Sequence, residues 1–133
     1  MQVAVVQQAS DLEPEVNRAR LDALAPDDAD LVVFPEAFAR DFGEAGSDVS
    51  RYAEASDGPF ATAVARVAEA RRTTVVAGMF ESSDDPARPF NTVLVRGAAS
   101  ADYRKIHLYD SFGYRESDRL RQVPSRTRPA QRW

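Results

Sequence analysis

The 133-residue sequence predicts an α/β domain, α+β in its later part, in which helices cover a mixed sheet. Two observations carry this prediction. Short β-branched runs alternate with helical periodicity up to Glu81, the pattern of parallel βαβ units. Beyond Glu81, further strand-like runs follow at spacings too short for helical crossovers, which adds antiparallel pairing.

VAVVQQ (Val3–Gln8) reads as a strand buried on both faces. Pro14 suits a helix start, and Val16, Ala19, Ala23 and Leu24 recur at helical spacing behind it. The polar turn PDDAD (Pro26–Asp30) ends that helix. A second buried strand follows in DLVVF, and it must stop near Pro35, which has no N–H for the ladder. A polar, glycine-containing loop spans Asp41–Ser50. SDGPF (Ser56–Phe60) opens a second helix, whose core face is Phe60, Val64 and Val67, with Ala61, Ala65 and Ala68 beside them. TTVVAGMFE (Thr73–Glu81), FNTVLVRG (Phe90–Gly97) and ADYRKIHL (Ala101–Leu108) are the third, fourth and fifth strands. After about Leu120 the apolar period disappears and no element is assigned.

Composition narrows the function. Hydrophobic residues at 44% and charged residues at 29% fit a soluble globular domain, and no apolar run is long enough to cross a bilayer. The start MQVAVVQQ lacks a basic leader, so a cytoplasmic location is expected. Zero cysteines exclude disulfides, thiolate metal sites and cysteine nucleophiles within these residues. Residues 1–100 carry 17 acidic and 9 basic side chains, and residues 101–133 carry 4 and 8. The basic end RQVPSRTRPAQRW has one aromatic and two prolines, so it reads as a solvated tail rather than a nucleic-acid interface.

Two charged residues stand out. Glu36 in VVFPEAF lies just past the carboxyl end of a strand, the rim where open α/β sheets bind ligands. Flanked by Phe34, Ala37 and Phe38, it is either a solvated loop glutamate or a desolvated base with a raised pKa. Lys105 in YRKIHLYD is the only lysine beside sixteen arginines. It is either an exposed edge-strand lysine or a compact ammonium placed where a planar guanidinium would not fit. Strand alternation would put Tyr103, Lys105 and His107 on one face, with His107 a structural, hydrogen-bonded strand residue.

Together, FPEAF after the second strand and YRKIHLYD in the fifth resemble the glutamate and lysine motifs of the nitrilase superfamily, the carbon–nitrogen hydrolases. The opening VAVVQQ, the GMFE strand (Gly78–Glu81), NTVLV (Asn91–Val95) and the order of all of these support the resemblance, which covers roughly residues 1–120. It is nearest to amidase-like members acting on small linear amides. What it implies is the first half of a four-layer α-β-β-α sandwich, a mixed sheet with helices on one side. It also implies Glu–Lys–Cys catalysis: Glu36 the general base, Lys105 the oxyanion stabiliser, and Glu116 a second glutamate that positions substrate. The implied partner is a small non-peptide amide. Metal, organic cofactor, nucleic acid and membrane are not expected, and the complete family protein is expected to be a homo-oligomer.

The family's third motif, a cysteine after a further buried strand, has no counterpart here. Ser111 and Ser117 sit on no strand-to-turn elbow and are poor replacements for a thiol. The expectation is therefore a domain over residues 1–120, truncated before its nucleophile and inactive alone, with residues 121–133 an irregular, disordered or frame-shifted tail. The alternative is a non-catalytic interaction or regulatory domain that pairs with a full-length relative through an uncovered sheet face.

Overall fold

A computed structural model of the chain describes residues 1–111 and 114–123, so most of the expected basic tail lies outside the described residues. The elements run β1 (Val3–Val5), α1 (Pro14–Leu24), β2 (Leu31–Val33), α2 (Pro59–Arg71), β3 (Thr74–Glu81), β4 (Phe90–Arg96) and β5 (Ala101–Arg104). A small hairpin, β6 (Asp110–Ser111) with β7 (Tyr114–Arg115), then leads into a 3₁₀ turn at Glu116–Asp118. The main sheet has the order β1-β2-β3-β4-β5. Its β1-β2 and β2-β3 pairings are parallel, and β3-β4 and β4-β5 are antiparallel. The mixed sheet expected from the sequence is therefore the one observed. Each helix returns the chain in the same direction, and the short connections after β3 reverse it.

Both helices place a proline in the first turn, where its missing N–H costs nothing. The Glu54 carboxylate completes the start of α2 by accepting the Phe60 N–H at 2.6 Å. Helix α2 buries Phe60, Val64 and Val67 as expected, with Ala61 and Ala68, but its third small contact is Ala63 and not Ala65. Helix α1 departs further from expectation. Its buried positions are Asn17 and Leu21, while Ala19 and Ala23 are exposed. Hydrophobic spacing misreads this helix because a polar residue faces the core. Asn17 is fully satisfied there, donating to the carbonyls of Asp11 (2.8 Å) and Ala39 (3.2 Å) and accepting the Asp11 N–H (2.8 Å).

The helices cover one sheet face, where Leu21, Phe60, Val64 and Val67 join Val32, Val75, Ala77, Met79 and Leu94 in one core. Pleat alternation sends Val5, Val33, Val76, Val93 and Tyr103 to the opposite face. Among the described residues no second layer covers that side, and Val5 is 75% and Tyr103 57% exposed. Two expectations are corrected by this. Strand β1 is an edge strand with its outward residues exposed, not a strand buried on both faces. Strand β5 ends at Arg104 rather than Leu108, because β4 begins at Phe90 and offers little ladder beyond. The chain bends instead and delivers Leu108 to a second, smaller cluster with Ala37, Val49, Phe80 and Leu120 at the end of the sheet.

Close backbone packing holds the turn after β2 against β3. Ala37 adopts a left-handed backbone (φ 51°), and the Ala39 N–H donates to the Gly78 carbonyl at 3.0 Å. A Cβ on Gly78 would lie 2.4 Å from the Ala37 nitrogen and 3.0 Å from the Glu36 Cα. Because backbone rather than a flexible side chain stands in the way, Gly78→Ala should cost about 1–3 kcal/mol in urea denaturation. An unchanged midpoint would mean that the turn and β3 separate freely.

Candidate active site

The turn after β2 presents the first charged group. The Phe34 N–H donates to the Val76 carbonyl (2.8 Å), and Pro35, which has no N–H to donate, only accepts from the Gly78 N–H at 3.4 Å. Glu36 thus leaves the sheet at its carboxyl end, as its sequence context predicts. The second group, Lys105, stands one residue beyond β5, yet its N–H still donates to the Asn91 carbonyl at 2.8 Å. That bond preserves the register, so Lys105 shares the uncovered side of the sheet with Tyr103. His107 does not belong to this strand as expected; it lies in an exposed bend past its end.

Glu116, the third predicted residue, joins them from the 3₁₀ turn. Buried Leu120 anchors that segment, and Arg88 ties it down by donating to the carbonyls of Ser117 and Leu120. The Lys105 Nζ lies 3.0 Å from Glu36 Oε1 and 3.1 Å from both carboxylate oxygens of Glu116. Residues 69 and 11 positions apart in the chain thereby meet on one ammonium. Glu116 is almost fully buried and also accepts the Tyr109 N–H at 2.5 Å. Ser117 is occupied elsewhere, its hydroxyl donating to Asp110 at 2.6 Å.

Sequence reasoning assigned no role to Asn91, although it opens the quoted run NTVLV. Its side chain is buried and donates to Glu36 Oε1 at 2.6 Å and to Glu116 Oε1 at 3.4 Å. The available signal was a polar residue leading an apolar strand run, on the side that Lys105 shares. Glu81, in the GMFE strand, has a different task. Bidentate bonds from Arg104 (2.9 and 2.6 Å) and one from Thr92 (2.8 Å) fix it to β5 and β4 on the helix side.

Electrostatics correct one expectation. Burial does push the Glu36 carboxyl upward, and it is the largest single influence. Hydrogen bonds from Lys105 and Asn91 and the lysine charge together outweigh it, holding Glu36 below its ordinary 4.5. Burial likewise pushes Lys105 down, but its two carboxylate partners hold it above 10.5. Both groups are therefore ionised at neutral pH.

These groups line a pocket of about 390 Å³ together with Phe42, Gly43, Ala45 and Tyr109. Arg40 shapes its rim by donating to the carbonyls of Asp41 (2.7 Å) and Phe42 (3.1 Å) while stacking on Tyr52. A second hollow of about 260 Å³ on the uncovered sheet face shares Glu36 and Lys105. Among the described residues no group of three or more His, Cys, Asp or Glu side chains is arranged to hold a metal. The arrangement offers a carboxylate able to take a proton beside a fixed positive charge, in a space sized for a small molecule.

A family model described as carbon–nitrogen hydrolase matches residues 2–131. A hydrolase of Mycobacterium tuberculosis is 38% identical over 126 residues, which cover 88% of this chain and 44% of the relative. Among solved structures, a carbon–nitrogen hydrolase superfamily protein of Xanthomonas campestris superposes with a TM-score of 0.75 at 26% identity, covering 92% of this chain and 46% of the other. A carbon–nitrogen hydrolase of Helicobacter pylori shares the fold with a TM-score of 0.76 at 16% identity, covering 92% of this chain and 44% of the other. The chain thus spans less than half the length of the curated relatives it matches.

Because its folded pKa is depressed, Glu36 contributes stability that is fully present above its unfolded value of 4.5 and lost as pH falls through the folded value. Lys105→Met removes the larger of the two partners responsible and leaves Asn91 in place. The stability gap between the parent and this variant should be wide near pH 7 and narrow on acidification below 4.5, as followed by chemical denaturation across pH. A gap independent of pH would mean that the ion pair contributes nothing.

Proposed function

This chain belongs to the carbon–nitrogen hydrolase family, and we propose from that premise that its pocket is the acid–base portion of an amidase-like site for small non-peptide amides. The meeting of Glu36 and Glu116 on the single Lys105 ammonium, inside a pocket, is the observation that carries this reading. Glu36 is the general base, Lys105 stabilises the oxyanion, and Glu116 positions both the lysine and the substrate.

The reaction needs a thiol, and these 133 residues contain no cysteine. With a cysteine supplied from outside them, Glu36 takes the thiol proton and the sulfur bonds to the amide carbon. The carbonyl oxygen becomes an oxyanion beside Lys105. Collapse breaks the C–N bond, and the leaving nitrogen takes the proton from Glu36, leaving a thioester. Glu36 then activates water, which releases the acid and the thiol. Even at a carboxyl pKa of 4.5, proton transfer from a thiol near 8.5 runs uphill by roughly 5 kcal/mol. The stabilisation must therefore come from the negative charge developing next to Lys105, not from the strength of the base.

The chain alone is accordingly inactive. Purified protein should show no turnover of small aliphatic amides in an ammonia-release assay. Hydrolysis that survives purification and disappears on Lys105→Ala would overturn the requirement for an external thiol. A second reading, an interaction domain that pairs with a longer relative, draws support from the exposed Val3, Val5 and Tyr103 on the uncovered sheet face.

A further inference from the structure

Lys105 and Asn91 converge on the same atom. The lysine donates to Glu36 Oε1 from 3.0 Å and the asparagine donates to it from 2.6 Å, while Oε2 accepts no hydrogen bond among the described residues. We propose that Asn91 is a positioning residue that locks Oε1 of Glu36 and leaves Oε2 as the oxygen that takes and returns the proton. The assignment deepens the general-base role given to Glu36 above and rests on it.

The geometry separates the two donors by what each can do. Lys105 sits on a side chain with four rotatable bonds and balances two carboxylates, so by itself it leaves Glu36 free to swivel and exchange its oxygens. Asn91 is buried on β4, with its backbone in register opposite Phe80. Its amide therefore approaches from a fixed direction. A carboxylate oxygen already accepting two charge-supported donors is the poorer proton acceptor of the pair, since protonating it would forfeit both bonds. The bare oxygen of a side chain that is half-exposed toward the pocket is the better one. The same amide nitrogen also reaches Glu116 Oε1 at 3.4 Å, so one buried NH₂ keeps two carboxylates apart around one ammonium.

The test is a carbon-13 NMR pH titration of the glutamate side-chain carboxyls in the full chain, which requires no catalysis. Asn91→Ala should shift the Glu36 midpoint upward, with Lys105 still in place. Asn91→Asp, nearly the same shape, exchanges a donor for an acceptor and should shift it further. Glu81 serves as the internal control, because it rests on Thr92, the next residue of β4. An upward shift of Glu36 with Glu81 unmoved supports the proposal. An unmoved Glu36 midpoint in either folded variant overturns it, as does a shift of both glutamates together, which would mark Asn91 as a packing residue. Since the readout is the titration of one carboxyl, a null result here is distinct from a failure of amide hydrolysis to appear.

Discussion

One ammonium between two carboxylates organises this end of the molecule. Glu36, Lys105 and Glu116 come from the turn after β2, the residue past β5 and the 3₁₀ turn, three segments that no single element connects. Two negative groups at that separation would repel if nothing stood between them, and a buried glutamate without a partner is costly. The lysine removes both penalties at once. In return the carboxylates hold it charged in a setting where burial alone would favour its neutral form. The compact ammonium suits this role because it reaches three oxygens at 3.0–3.1 Å from one point, which a planar fork does not do.

The rest of the fold can be understood by how it delivers these three groups. Helices α1 and α2 bury one face of the sheet, which fixes the strand order and brings the β2 end beside β3 and β4. The second cluster, built on Phe80 and Leu120, draws the segment after β5 back across the sheet end and carries Glu116 inward. Polar side chains complete what packing leaves open. Asn17 ties α1 to the Ala39 carbonyl, and Arg88 ties the loop after β3 to the Glu116 segment. The site is therefore assembled on strand ends and braced turns.

Much of this was legible in the residues. The alternation of β-branched runs with proline-led helices specified a mixed sheet, and Pro35 marked where β2 must release Glu36. The lone lysine, set against arginine everywhere else, drew attention to the position where Glu36 and Glu116 meet, while its residue context left an exposed edge-strand lysine also open. What escaped had a physical reason in each case. Asn17 and Asn91 are polar groups whose partners lie far along the chain, so no local pattern announces that they are satisfied when buried. Strand β1 is as apolar as an interior strand, and its edge position depends on the strand order, which hydrophobicity does not encode. The lowered Glu36 pKa depends on two donors brought from 55 and 69 residues away. From FPEAF alone, only the opposing effect of burial could be read.

The backbone contact between Gly78 and the Glu36–Ala37 peptide has a consequence for how such a protein can change over time. With main chain seated directly on main chain, no side chain intervenes whose exchange would retune the spacing. The helices can therefore swap one aliphatic residue for another, and the solvent side can drift widely, while the acidic group keeps its height above the sheet. A hydrogen atom at position 78 in place of a methyl lets the height of that carboxylate be set by main chain alone.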